Sequence, residues 1–202
     1  MRKFKIIGLT GPTGSGKTLI AEYFAKQGYT IINADKIARQ VTSPHSVCLK
    51  TLAGAFGNEI INPDGSLDRK KLASLAFANK EQTQLLNDIT HPFVYLEVFK
   101  KLRELSQIGV SRFIYDAPQL LESNGDMMCD FVISVICPKQ IRIDRIKARD
   151  NINSKQALER INAQMPDEYY KKRSDFCIYN DSDLQSLYAK ADEVLNIIEK
   201  QE

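Results

Sequence analysis

The chain has 202 residues, 43% apolar and 26% charged, the composition of a folded globular protein rather than a disordered one. That length fits one domain with room for a large insertion. The 28 basic and 25 acidic side chains leave a net charge of +3, too small to demand nucleic acid as a partner and equally suited to an anionic small molecule. No apolar stretch approaches the ~18 residues needed to cross a bilayer. The basic start, Met1-Arg-Lys-Phe-Lys-Ile-Ile-Gly-Leu9, carries too short an apolar run for a secretory signal. Cys48, Cys129, Cys137 and Cys177 have neither metal-type spacing nor a conspicuous disulfide framework, and read as thiols in a reducing compartment. The expectation is a cytoplasmic protein with no membrane and no nucleic acid among its partners.

In chain order, Phe4 to Leu9 is a short apolar run that ends in a glycine-rich turn. Lys17 to Lys26 then has helical spacing, with Ile20, Phe24, Ala21 and Ala25 on one side, and Thr30 to Asn33 is a second strand. From about Asp35 to Gln107 no convincing strand occurs. Helical patterns cover Val47 to Phe56, Asp68 to Phe77 after the turn Asn62-Pro-Asp-Gly65, Glu81 to Thr90, and Pro92 to Leu105. Pro92 is placed at the first turn of the last of these, where proline is tolerated. Strands resume at Arg112 to Asp116 and Phe131 to Cys137. Pro138 opens a helix that Asn151 to Ser154 breaks; Asn153 or Ser154 caps a second one ending near Gln164, before Pro166. The last strand is Phe176 to Ile178.

These five runs are rich in Ile, Val and Phe without clean alternation, as expected of strands buried on both faces of a parallel sheet. The βαβα order predicts an α/β sandwich. The expected division is one domain: a core of 1–34, 110–137 and 174–202, a helical insertion of about 35–109 suited to a substrate pocket, and an arginine-bearing helical lid of about 138–173. The basic clusters Lys70-Lys71, Lys100-Lys101 and Lys171-Lys172-Arg173 read as solvated faces.

The strongest chemical signal is Gly11-Pro12-Thr13-Gly14-Ser15-Gly16-Lys17-Thr18, a full match to G-x₄-G-K-[ST] between a strand and a helix. Glycines let the backbone wrap closely around phosphates. The N–H groups of Gly14, Gly16, Lys17 and Thr18 are then expected to converge at a helix N-terminus, where unpaired donors and the helix dipole favour an anion. Lys17 supplies a point charge to the β- and γ-phosphates, and the Thr18 hydroxyl is the expected Mg²⁺ ligand. The reading is of a protein that binds a nucleoside triphosphate.

Three kinds of phosphate-loop protein compete. A regulatory GTPase requires N/T-K-x-D and D-x-x-G; Asn79-Lys-Glu-Gln82 lacks the aspartate and no D-x-x-G occurs. An ATP-hydrolysing machine usually follows its strand-end aspartate with a water-activating glutamate, whereas Asp116 is followed by Ala117. Asp116 still suits a direct or indirect metal carboxylate. What remains is transfer to an acceptor held by the helical insertion. Such a kinase must exclude water, and a flap bearing Arg142, Arg145 and Arg149 on one helical face would cover the site and neutralise phosphoryl charge.

At this point the residues resemble the dephospho-CoA kinase family, from Lys5 to about Asn180. Asn33-Ala-Asp-Lys-Ile-Ala-Arg39 is similar to its D-A-D-x-x-A-R segment, and Asp64-Gly-Ser-Leu-Asp-Arg69 with Leu72 to its D-G-x-L-D-R-x-x-L turn. His91-Pro92 matches its H-P pair, and Asp116-Ala-Pro118-Gln-Leu-Leu-Glu122 its D-x-P-L-L-x-E loop. Arg145-x-x-x-Arg149 and Arg160-Ile-x-x-Gln164 resemble the lid pattern, and Asp175-Phe-Cys-Ile-x-Asn180 the last-strand motif.

The resemblance implies a P-loop NTPase three-layer α/β/α sandwich with a five-stranded parallel sheet, a helical substrate subdomain and a helical lid. It implies ATP- and Mg²⁺-dependent phosphorylation of the ribose 3′-hydroxyl of dephospho-CoA, with ATP and dephospho-CoA as partners, in a monomer or weak homo-oligomer. Carried over, Lys17, Asp35 and Arg145 are the catalytic residues, Asp35 orienting the acceptor hydroxyl and accepting its proton. Arg145, Arg149 and Asn180 join the phosphate loop around ATP. Asp35, Arg39, Arg69, His91, Asp116 and Pro118 face the acceptor, and Thr18 and Asp116 take the metal. Asn33 departs from the family's first aspartate, as do Gln119, Ser123 and Tyr179-Asn180-Asp181 from their loops. A kinase of another small nucleoside acceptor, or a catalytically silent ATP-binding homologue, is the alternative.

Overall fold

Five strands, β1 (Lys5–Thr10), β2 (Thr30–Asn33), β3 (Arg112–Asp116), β4 (Phe131–Ile136) and β5 (Phe176–Tyr179), form one sheet in the computed structural model, which describes residues 4–201. The helices are α1 (Lys17–Lys26), α2 (Ala34–Val41), α3 (Val47–Phe56), α4 (Arg69–Ala76), α5 (Lys80–Gln107), α6 (Lys139–Asp150), α7 (Ser154–Asn162), α8 (Asp167–Arg173) and α9 (Leu184–Glu199). The strand order is β2-β3-β1-β4-β5 in a parallel sheet, with Leu9 beside both Asp116 and Ile133. Strand order reverses at β1, whose carboxyl end therefore opens the crevice in which such sheets bind ligands.

The fold divides into two compact units. The first takes in the described residues up to Ile32 and those from Val110 on. Its core sets Ile7, Leu9, Ile114, Ile133, Val135 and Ile178 of the sheet against Ile20 and Phe24 of α1 and Leu187, Ala191, Leu195 and Ile198 of α9. Each such aliphatic side chain, removed from water, contributes about 1.5–3 kcal/mol. Helix α9 lies beyond the last element read from sequence, yet its signals are ordinary ones. The Asp183 side chain accepts from the Ser186 N–H at 2.9 Å, and apolar residues recur at helical spacing from Leu187 to Ile198.

The elements expected to form a lid belong to this unit. Helix α6 ends at Asn151, whose φ of 51° is the left-handed stop that asparagine tolerates. Asn153 then opens α7 in a reciprocal capping box with Gln156. Ile146, Ala157 and Ile161 form a small core of their own, with Ile143 and Ile152 against it. Helix α8, also unread from sequence, follows Pro166 and buries Tyr170, whose hydroxyl donates to Glu122 at 2.9 Å. Desolvation and the Glu122 carboxylate push that hydroxyl's pKa up.

The second unit, Asn33–Gly109, is helical. Asn33, Ser46, Asp68 and Asn79 cap α2, α3, α4 and α5 by accepting from the N–H three residues on. Cys48, Leu52, Phe56, Ile60 and Leu72 make its core. The Asn62-to-Gly65 turn is present, closed by an isolated antiparallel bridge between Ile61 and Leu67. One expectation is corrected: the two helices placed at Glu81–Thr90 and Pro92–Leu105 are a single 28-residue helix, α5, with Pro92 inside it. An interior proline costs roughly 3 kcal/mol. Val94, Val98 and Leu102 are buried, and α5 packs against α2, α3 and α4, so tertiary packing outweighs the local preference. Among the described residues no helix is long and apolar enough to cross a membrane.

Candidate active site

Between β1 and α1 the chain turns through Gly11, Gly14 and Gly16, with φ of 144°, 78° and 95°. At Gly11 a Cβ would collide with the Val135 carbonyl oxygen of the neighbouring strand, and at Gly16 with the Asn180 side-chain amide. Glycine is required at Gly11 by space as well as by backbone angle, and at Gly16 by backbone angle, with the Asn180 amide displaced by any added Cβ. Lys17 and Thr18 are the first two residues of α1, so their N–H groups are among those a helix leaves unpaired. Thr18 is exposed.

Lys17 Nζ pairs with the carboxylate of Asp116, at the end of the adjacent strand, and the two side chains are only 14% and 7% exposed. Nearby, the Thr10 hydroxyl donates to the Pro118 carbonyl at 3.2 Å and fixes the turn after β3. Thr18 and Asp116 together offer a hydroxyl and a carboxylate, the hard oxygen donors that Mg²⁺ takes alongside phosphate oxygens.

The loop is braced from α6 and from the turns that follow α7 and β5. Arg142, expected on the flap face that covers the site, is 2% exposed and turned to the loop backbone: Nε donates to the Thr13 carbonyl at 3.0 Å and Nη1 to Asp167 at 2.8 Å. Arg145 Nη1 reaches the carbonyls of Gly14 and Ser15 at 3.3 and 3.4 Å, and Nη2 reaches Asn180 Oδ1 at 3.3 Å. Asn180 is buried and donates to the Ser15 carbonyl at 2.8 Å. The Thr13 N–H donates to Gln164 Oε1 at 2.7 Å. Arg149 is solvated and held bidentate by Asp150, which also pairs with Arg160. Cys137 Sγ accepts from Arg145 at 3.4 Å, and burial pushes this thiol up despite the adjacent guanidinium. Gln164 enters the sequence analysis only as the last residue of the Arg160-Ile-x-x-Gln164 pattern, and Asp167 not at all; the contact of Gln164 with Thr13 spans 151 residues, which no local pattern encodes.

The second unit holds the remaining candidates. Asp35 is exposed in the first turn of α2, two residues after the Asn33 cap, and Arg39 follows one turn later on the same face. Asn33 accepts from the Lys36 N–H at 2.9 Å, so the residue that departs from the family pattern still begins this helix. Arg69 opens α4 and donates to the Thr42 hydroxyl at 3.0 Å. His91 lies mid-helix in α5 with its ring 5.9 Å from that of Tyr95. Burial pushes the imidazole down from its ordinary value, with Asp88 partly opposing.

Comparison with known proteins places this geometry in a family. The family model described as dephospho-CoA kinase matches residues 5–186. A dephospho-CoA kinase of Corynebacterium efficiens is 39% identical over 189 residues, 94% of each chain. The solved dephospho-CoA kinase from Campylobacter jejuni is 25% identical, with a TM-score of 0.70 over 97% of this chain and 98% of that one. A shikimate kinase from Acinetobacter baumannii, 15% identical with a TM-score of 0.51 over 100% of this chain and 96% of that one, shares the fold alone. The matched span takes in the phosphate loop, the helical insertion and the last strand, and on that footing the chain belongs to the dephospho-CoA kinase family.

Proposed function

We propose that the protein transfers the γ-phosphoryl group of ATP to the ribose 3′-hydroxyl of dephospho-CoA, giving coenzyme A and ADP. The observation that carries this reading is the G-x₄-G-K-T segment, held as strand, loop and helix in a chain of this family. The amides of Gly14, Gly16, Lys17 and Thr18 take the phosphates, with Gly11, Pro12, Thr13 and Ser15 shaping the loop. Lys17 exchanges its Asp116 partner for phosphate oxygens. Thr18 and Asp116 would hold Mg²⁺, which when bound would neutralise phosphate charge. Arg145 adds positive charge beneath the loop, and Arg149 and Asn180 serve the nucleotide side.

On the acceptor side, Asp35 orients the 3′-hydroxyl, with Arg39, Arg69, His91, Asp116 and Pro118 shaping its surroundings. The acceptor oxygen bonds to the γ-phosphorus as the bond to the β–γ bridging oxygen breaks. ADP leaves, and the hydroxyl proton passes to the Asp35 carboxylate. The Asn33 departure is compatible with this chemistry. Asparagine and aspartate cap helices about equally well, so the backbone that presents Asp35 is preserved.

The test is purified protein with ATP, Mg²⁺ and dephospho-CoA, followed for ADP and for the mass gain of one phosphate on the acceptor. ADP formation that ignores dephospho-CoA would refute the assignment, and transfer to a plain nucleoside would redirect it. Asp35→Asn should lower kcat with little change in ATP affinity; a large loss of ATP binding would recast Asp35 as a nucleotide or metal ligand.

A further inference from the structure

A trans peptide is planar, so the carbonyl of one residue and the N–H of the next point in opposite directions. Fixing the Thr13 carbonyl therefore aims the Gly14 N–H, and fixing the Ser15 carbonyl aims the Gly16 N–H. Both carbonyls are held by side chains. Arg142 Nε donates to Thr13 and Asn180 Nδ2 to Ser15. Thr13 is held a second time, its own N–H donating to Gln164 at 2.7 Å. The residue before the first phosphate-facing glycine is thus clamped at both of its peptide groups, by α6 on one side and the turn after α7 on the other.

Stability does not account for Arg142. Its side chain is 3% exposed, and Nη2 has no hydrogen-bond partner among the described residues. A buried guanidinium with an unmatched nitrogen is a poor stabiliser, one that an apolar side chain of similar volume often matches or betters.

We propose that Arg142 and Gln164 are positioning residues for polyphosphate binding. They hold the Thr13 peptides so that the Gly14 N–H faces the phosphates, and Asp167 holds Arg142 in turn. The proposal rests on the phosphate-loop reading above and deepens it. The clamp acts on the loop itself, not on the group being transferred. ADP, which lacks the γ-phosphate, should therefore feel its loss as strongly as ATP does.

The experiment titrates Mg²⁺–ADP into the full chain by calorimetry for wild type, Gln164→Leu and Arg142→Lys. Leucine removes the acceptor at similar volume; lysine keeps the charge but cannot span both Thr13 and Asp167. The expected result is ADP affinity about tenfold weaker in each variant, the scale of one orienting hydrogen bond. For Gln164→Leu, the KM for ATP should rise by a similar factor, kcat should stay within about twofold, and the ligand-free melting temperature should fall by no more than about 4 °C. Unchanged ADP affinity with a fall in kcat would overturn the proposal in favour of direct contact with the transferred phosphoryl group. Unchanged ADP affinity with a lowered melting temperature would overturn it in favour of packing alone. Wild type that fails to bind ADP would overturn the phosphate-loop reading itself, a result distinct from either. If Arg142→Lys does not fold, Gln164→Leu decides alone.

Discussion

Gly11→Ala is the sharpest test of how the phosphate loop is built, because Gly28→Ala provides its control. Both glycines have positive φ, 144° and 87°, so both alanines incur a backbone strain of about 1–2 kcal/mol. Only Gly11 also lacks room. An added Cβ collides with the Val135 carbonyl oxygen and lies 3.1 Å from the Val135 nitrogen, while at Gly28 nothing lies within 4 Å. Val135 is the next-to-last residue of β4 and pairs with Ile178 of β5, so its backbone cannot retreat without disturbing that pairing. Overpacking against such a wall costs about 1–3 kcal/mol more. Gly11→Ala should lose about 2–5 kcal/mol and Gly28→Ala about 1–2 kcal/mol, measured by urea unfolding without nucleotide. The excess at Gly11 carries the steric part together with the added strain of its larger φ. Equal unfolding midpoints with unchanged slopes would refute the claim that the loop is pressed against the sheet.

Lys17→Ala should cost on the order of 10²-fold or more in kcat, since the charge on the β- and γ-phosphates is lost; near wild-type turnover would contradict the role. For His91, burial lowers the folded-state pKa below the ordinary 6.5. The unfolded chain then takes up a proton that the folded chain resists, so stability falls as the pH drops below about 6.5. Wild type should lose more stability than His91→Gln between about pH 7 and pH 5 by thermal unfolding, and parallel pH profiles would refute this. Cys48 and Cys137 are buried with thiol pKa values pushed up by desolvation. Both should resist iodoacetamide in the native protein near pH 7.5, as read by peptide mass spectrometry; rapid native labelling of either would show that its burial is not maintained.

The phosphate loop was legible because its donors lie in successive residues after an apolar run, so one short pattern carries both position and chemistry. Helix α3 was legible for a similar reason, with the Ser46 cap and its apolar spacing lying within a few residues of each other. Asn33 looked like a chemical departure, and the structure gives it a backbone role that aspartate fills equally well. Helices α8 and α9 carry ordinary signals after Pro166 and Asp183, but neither had been read as an element. The bracing of Thr13 by Arg142 and Gln164 had no such signal. It joins residues 129 and 151 positions apart, and only the folded chain brings them together. The charge pattern on α6 showed that three arginines share a face; it could not show that Arg142 is buried while Arg149 is solvated.

Pro92 gives α5 a consequence of its own. At 1.5 Å per residue the helix is about 42 Å long, but proline has no N–H to offer the Asp88 carbonyl, so the ladder of i-to-i−4 bonds lacks a rung there. The buried anchors Val94, Val98 and Leu102 all lie on the carboxyl side of that seam. The amino-terminal half, held to the core by the partly buried Leu86 and Ile89, should open as its own cooperative segment, its amides exchanging with deuterium well before those anchored beyond Pro92.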